Sequence, residues 1–132
     1  MIKGLDHVAI AVKSVEEVLK IYDQVLGLKA EKVKVVEQQK VKVGAIRVGE
    51  TKIELLEPTG PESTVARFLE KRGEGIHHIA LQVSDIGATI SELRQKGATM
   101  IDEKPRMGFE GKKIAFINPK STANVLIELV ET

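Results

Sequence analysis

The segment Asp6-His7-Val8-Ala9-Ile10-Ala11-Val12 returns 71 positions later as His77-His78-Ile79-Ala80-Leu81-Gln82-Val83, with large apolar residues alternating in the same phase with small or polar ones. A repeat at this spacing restricts the fold to arrangements that use one supersecondary unit twice. Alternation with period two is the pattern of a strand with two unlike faces. A helix signal follows each copy. Ser14 and Glu17 have capping-box spacing ahead of Val15, Val18, Leu19, Ile21, Tyr22 and Val25, and Asp85 precedes Ile86, Ile90 and Leu93. Gly27 and Gly97 then supply the backbone freedom with which helices commonly end.

Three more β-rich stretches follow in each half: 33–36, 41–48 and 52–56 in the first, 100–102, 113–117 and 125–130 in the second. The module ends also agree. Ile53-Glu54-Leu55-Leu56 matches Ile127-Glu128-Leu129-Val130 at a shift of 74, so a short loop insertion separates the two registers. The prediction is an α+β domain of two βαβββ modules in tandem, their strands forming a cupped, barrel-like mixed sheet. Module one covers about 1–58 and module two about 75–132. Turn residues Pro58 to Pro61 and an amphipathic segment at about 62–73, with Val65, Phe68 and Leu69 on one side, make the linker helix. At 132 residues the chain has the size of one domain with one core.

Strand periodicity also sorts the polar residues. His7 shares a face with Ala9 and Ala11, and His78 with Ala80 and Gln82, whereas Val8, Ile10 and Val12, like Ile79, Leu81 and Val83, take the face that helices cover. Glu54 and Glu128 each sit between Ile and Leu, so their carboxylates point away from those core side chains. A carboxylate inside an apolar strand is costly unless paired or metal-bound. A single strand histidine is ordinarily a hydrogen-bonded core residue; a histidine and a glutamate duplicated in register are better explained as a shared site. The chain has no cysteine, so a metal here is held by nitrogen and oxygen. His7, Glu54, His78 and Glu128, meeting across a pseudo-twofold axis, would give two nitrogens and two oxygens for a divalent cation with positions left open. Such ligands suit Co2+, Mn2+, Zn2+, Ni2+ or Fe2+ alike. His77 points to the opposite face and is read as structural.

A net charge of +1 lacks the one-sided basic field of nucleic-acid binding. The opening MIKGLDHVAIAV has neither the long apolar core of a signal peptide nor that of a membrane span, so no membrane partner and a cytoplasmic location are expected. Open sheet edges would suit a homodimer.

In combination, Asp6-His7-Val8-Ala9, Lys52-Ile53-Glu54-Leu55-Leu56-Glu57-Pro58, Gly75-Ile76-His77-His78-Ile79-Ala80, Asn118-Pro119-Lys120-Ser121 and Val125-Leu126-Ile127-Glu128-Leu129 resemble the vicinal oxygen chelate superfamily. That superfamily includes glyoxalase I, extradiol dioxygenases, antibiotic-resistance proteins and the methylmalonyl-CoA epimerases, which these motifs resemble most. The resemblance implies that His7, His78 and Glu128 are metal ligands and that Glu54 occupies a further ligand position. Asn118 stands where the family often has histidine. The implied reaction interconverts (2R)- and (2S)-methylmalonyl-CoA by removal and return of the α-proton through a metal-stabilised enolate, with an acyl-CoA as the partner molecule.

Glu128 is the candidate for one base. In some epimerases a second glutamate lies on the strand matching 41–45; this chain offers Lys42 there, a candidate second proton carrier, with Glu37 at its approach. Arg106, Lys112, Lys113 and Lys120 are candidates for the coenzyme's phosphates. Gly108 and Gly111, around Phe109, make a candidate lid. Lactoylglutathione lyase is the nearest alternative. A non-catalytic ligand-binding protein of the same fold would have little reason to keep four paired ligands, and an extradiol dioxygenase would leave Glu54 without a role.

Overall fold

The first repeat copy folds as β1 (Ile2–Ala11), α1 (Val15–Leu26), β2 (Lys32–Val36), β3 (Val41–Val48) and β4 (Thr51–Pro58). After α2 (Thr64–Arg72), the second runs as β5 (Gly75–Val83), α3 (Ile86–Gln95), β6 (Arg106–Met107), β7 (Lys113–Ile117) and β8 (Ile127–Glu131). The structure, a computed structural model, describes residues 1–132. Its eight strands are hydrogen-bonded in the order β2-β3-β4-β1-β5-β8-β7-β6, which is unchanged when each strand is exchanged for its counterpart and the order reversed. Within each copy the outer pairs are antiparallel, while β1 with β4 and β5 with β8 run parallel. The class is α+β, with the βαβββ order that the repeat predicts. No helix is long and apolar enough to cross a membrane.

The chain divides into two compact units, His7–His77 and Met1–Asp6 with His78–Thr132. The first six residues therefore belong with the second copy. Lys3 Nζ donates to the carbonyl of Thr132, and Asp6 Oδ1 accepts from Gln82 Nε2 at 3.2 Å. Each unit has its own helix-covered core. In His7–His77 it is built from Val12, Val15, Ile46 and Leu55, joined by Leu19 and Tyr22 of α1. Gly44 makes this packing possible, because a Cβ there would stand 2.8 Å from Val15 Cγ1. In the other unit Val83, Ile86, Ile90, Ala115 and Leu129 play the same part under α3.

The helix starts are capped twice over. Ser14 Oγ accepts from the Glu17 amide at 3.2 Å and Asp85 Oδ1 from the Ala88 amide at 3.0 Å, as the sequence signals predict. Gly27 closes α1 in the left-handed conformation at φ 69°. A second cap comes from the far end of the parallel partner strand: Glu57 Oε1 accepts from the Val15 amide at 2.8 Å, and Glu131 Oε2 from the Ile86 amide at 3.0 Å. Each carboxylate satisfies an amide that an α-helix leaves without a partner and lies at the positive end of the helix dipole.

The second copy departs from the expected pattern at 100–102. Met100 makes an isolated bridge to Ile117, and the strand gives way because the Asp102 side chain takes over a ladder position, its Oδ2 accepting from the Phe116 amide at 2.9 Å. The paired segment there is the two-residue β6. The stretch read as a lid is a tight turn into β7, with the Gly108 amide donating to the Lys112 carbonyl at 2.8 Å and Gly111 at φ 74°.

Replacing Glu57 or Glu131 with alanine should each lower unfolding free energy by about 1 kcal/mol, the usual worth of a lost helix cap. Urea titration against Glu50→Ala, an exposed control, checks this; equal midpoints for all three would show that the caps contribute nothing.

Candidate metal centre

The two parallel strand pairs place histidine and glutamate in the same relation twice. Ile10 of β1 and Val12 just after it, with Ile53 and Leu55 of β4, enter the core under α1. His7 and Glu54 therefore lie on the other face, where Ala9 is the direct neighbour of Glu54. In the second copy Leu129 packs under α3, Glu128 faces the opposite way, and Ala80 is its direct neighbour. Ala9, Ala11 and Ala80 are fully buried, so small side chains leave this face to the imidazoles and carboxylates.

All four polar residues are buried, none more than 6% exposed. His7 Nε2 stands 3.5 Å from Glu54 Oε1, and His78 Nε2 stands 3.3 Å from Glu128 Oε1. His7, His78 and Glu128 form a group that could hold a metal ion, each offering one ligand atom with all three atoms within 4.8 Å of one another. Two imidazole nitrogens and a carboxylate oxygen suit a first-row divalent cation that keeps positions for water or substrate. Glu54 is outside that trio but reaches its His7 member.

Other residues singled out in the sequence have different settings. Lys42 is opposite Glu57 in the β3–β4 register, on the face of Gly44, Ile46 and Leu55 that α1 covers. Its ammonium is ion-paired to Glu16. That hydrogen bond raises the pKa of Lys42 and lowers that of Glu16. The sequence points to Lys42 as the second proton carrier; the β3 positions on the Glu54 face are Val41, Val43 and Ala45, all buried and none titratable. His77 packs against Phe68 with ring centroids 5.1 Å apart and the planes tilted by 59°.

Of the four basic candidates, Arg106 pairs with Ile114 across β6–β7, two positions along the strand from Phe116 and on the same face; Phe116 is in turn opposite Glu128. Arg106 Nε lies 3.3 Å from Asp102 Oδ1, with its guanidinium 5.5 Å above the Phe116 ring. Lys113 is opposite Met107 and so takes the other face of β7. Lys120 is exposed, in a single helical turn capped by Asn118 Oδ1; Lys112 is half-buried at the turn before β7. Phe116 is the site neighbour that sequence reasoning missed: its ring meets His78 edge-on, with centroids 5.3 Å apart. Its alternation with Ile114 was legible, but nothing in one sequence says which apolar residue of a strand borders a site.

A family model for the Glyoxalase/Bleomycin resistance protein/Dioxygenase superfamily matches residues 6–116, and the chain belongs to that superfamily. An ethylmalonyl-CoA/methylmalonyl-CoA epimerase from Cereibacter sphaeroides is 40% identical over 131 residues, spanning 98% of each chain. The mitochondrial methylmalonyl-CoA epimerase of Homo sapiens is 36% identical over 126 residues, 95% of this chain and 72% of that protein. Among solved structures, a variant of Streptomyces coelicolor methylmalonyl-CoA epimerase in complex with 2-nitronate-propionyl-CoA matches with a TM-score of 0.95 at 33% identity, covering 100% of this chain and 96% of that one.

His7→Ala and His78→Ala should each weaken Co2+ binding by more than about tenfold, judged against the 10–100-fold that outer-shell losses alone produce. Competition with a chelator measures this, and unchanged affinity in both variants would remove the histidines from the site. The Lys42–Glu16 pair gives a separate pH test. The lowered Glu16 pKa contributes stability that is present above the ordinary carboxylate range and lost as pH falls through the folded value; the raised Lys42 pKa contributes stability that is lost as pH rises through its folded value. The stability difference between wild type and Lys42→Ala should therefore be present near neutrality and shrink at both extremes, as read by denaturation at several pH values.

Proposed function

We propose that this chain is a metal-dependent epimerase acting on methylmalonyl-CoA. The observation that carries the reading is the buried His7–His78–Glu128 group, together with relatives of known name that align over 95% or more of this chain. When bound there, a divalent cation supplies Lewis-acid stabilisation for negative charge on substrate oxygens. Co2+ is the ion proposed first, among the first-row cations that mixed nitrogen and oxygen donors accept, and Glu54 is proposed as a further ligand, supported by its 3.5 Å approach to His7 Nε2.

The substrate's reacting carbon lies between a thioester and a carboxylate, and both faces of that carbon must exchange a proton. Glu128 is proposed to take and return the proton on one face. Its burial removes competing water and strengthens its interaction with the substrate. The fully buried Ala80 beside it in the β5–β8 register leaves this face to its carboxylate. Glu128 Oε1 is buried and lies 3.3 Å from His78 Nε2, its fellow member of the group that could hold the ion. The proton carrier for the other face is not assigned to Lys42, whose ammonium serves Glu16.

Arg106, Lys112, Lys113 and Lys120 are proposed to meet the anionic groups of the acyl-CoA, with Arg106 favoured by sharing a strand face with Glu128. A homodimer and a cytoplasmic location belong to the same proposal. The exposed apolar side chains of Ile21, Val25 and Leu26 on α1 offer a surface for the first. Sedimentation and cell fractionation test the two.

The decisive measurement follows deuterium entering the α-position of methylmalonyl-CoA in heavy water by NMR. Metal-loaded protein should exchange the proton, chelator-treated protein should not, and Glu128→Gln should slow exchange by roughly 100-fold or more, the scale of one general acid–base group. Lys42→Ala should keep its rate. Absence of exchange in the loaded wild type would sink the reading and turn attention to lactoylglutathione lyase activity.

A further inference from the structure

The two copies of the repeat differ beside their glutamates. In β3 the residue directly opposite Glu54 is Ala45; in β7 the residue directly opposite Glu128 is Phe116. These positions are 71 apart, the spacing of the repeat itself. The module folds with a methyl group at this place, so a phenyl ring is not a demand of the architecture. The residue is nonetheless held by several neighbours. Its backbone amide donates to Asp102 Oδ2 at 2.9 Å and its carbonyl accepts from the Ile101 amide at 2.9 Å. Arg106, tied to Asp102 at 3.3 Å, lies over it, His78 meets it edge-on with the ring planes at 89°, and it packs on the cluster of Ala80, Ile114 and Val130. Phe116 remains only half-buried.

We propose that Phe116 sets the size of the alkyl group accepted on the reacting carbon. The inference rests on the epimerase reading given above. A malonyl thioester presents two polar arms and one apolar arm. While Glu128 works on the α-proton, the apolar arm must lie within a few ångströms of that carboxylate. The phenyl ring is the large apolar group opposite Glu128 on its own sheet face, and its fixed position makes it a wall. A hydrophobic wall discriminates one methylene by roughly 10–200-fold.

The test compares methylmalonyl-CoA with ethylmalonyl-CoA by α-proton exchange in wild type, Phe116→Leu and Phe116→Ala, with Co2+ affinity and melting temperature measured alongside. The ratio of kcat/KM for the ethyl over the methyl substrate should rise at least about tenfold in Phe116→Ala and by less in Phe116→Leu, with Co2+ affinity held within about threefold. If Phe116→Ala fails to fold, the rise in Phe116→Leu decides. A fall in both substrates with an unchanged ratio would make Phe116 a packing residue for His78 and overturn the proposal. Wild type inactive on both substrates would instead overturn the epimerase reading, and this inference with it, before any variant is compared.

Discussion

Burying two histidine–glutamate pairs inside otherwise apolar strands is the constraint around which this molecule is organised. An isolated buried carboxylate is strongly disfavoured, and a neighbouring imidazole answers it only in part. Each pair is therefore built at close range, 3.5 Å for His7 with Glu54 and 3.3 Å for His78 with Glu128. Parallel pairing of β1 with β4 and of β5 with β8 achieves this, because it sets each glutamate beside the alanine two residues beyond its histidine. Parallel neighbours in turn require a long crossover, and the helix that each crossover carries covers the opposite, apolar face of the same strands.

The capping glutamates belong to that same logic. Glu57 and Glu131 end the strands that carry Glu54 and Glu128, three residues earlier, and bond to the first turns of α1 and α3. Odd spacing puts them on the helix face, whereas Glu54 and Glu128 take the other. One strand thus offers one carboxylate to its helix and one to the site. An error of one residue in register would exchange the two roles, so cap and metal ligand enforce each other's placement.

Most of this was legible in the sequence because it depends on period and repetition. The faces of His7 and His78, the α+β class, the caps at Ser14 and Asp85 and the placing of Glu54 and Glu128 away from the core all follow from alternation that survives in both copies. What was not legible depends on side chains acting outside the period. Lys42 has the expected strand position, but parity puts it under α1, where Glu16 takes its ammonium. The segment 100–102 has strand-like residues, yet Asp102 turns its carboxylate to the Phe116 amide and replaces part of the ladder. No single-sequence pattern announces that an aspartate will serve as a backbone acceptor, or that Phe116, rather than Ile114 or Ile117, will meet His78.

A duplicated scaffold tends toward two equal halves, whereas a substrate with a thioester on one arm and a carboxylate on another is unequal. The copies must therefore diverge where they meet it. The covered faces stay alike, since Val15 with Leu55 and Ile86 with Leu129 repeat one another. The glutamate faces do not: Ala45 stands opposite Glu54, and a clamped phenyl ring with an arginine above it stands opposite Glu128. Packing beneath the helices is conserved by the need for a dense core, which tolerates little change in volume. On the other face a smaller cluster of Ala80, Ile114 and Val130 supports Phe116, and it is there that the residues opposite the two glutamates differ.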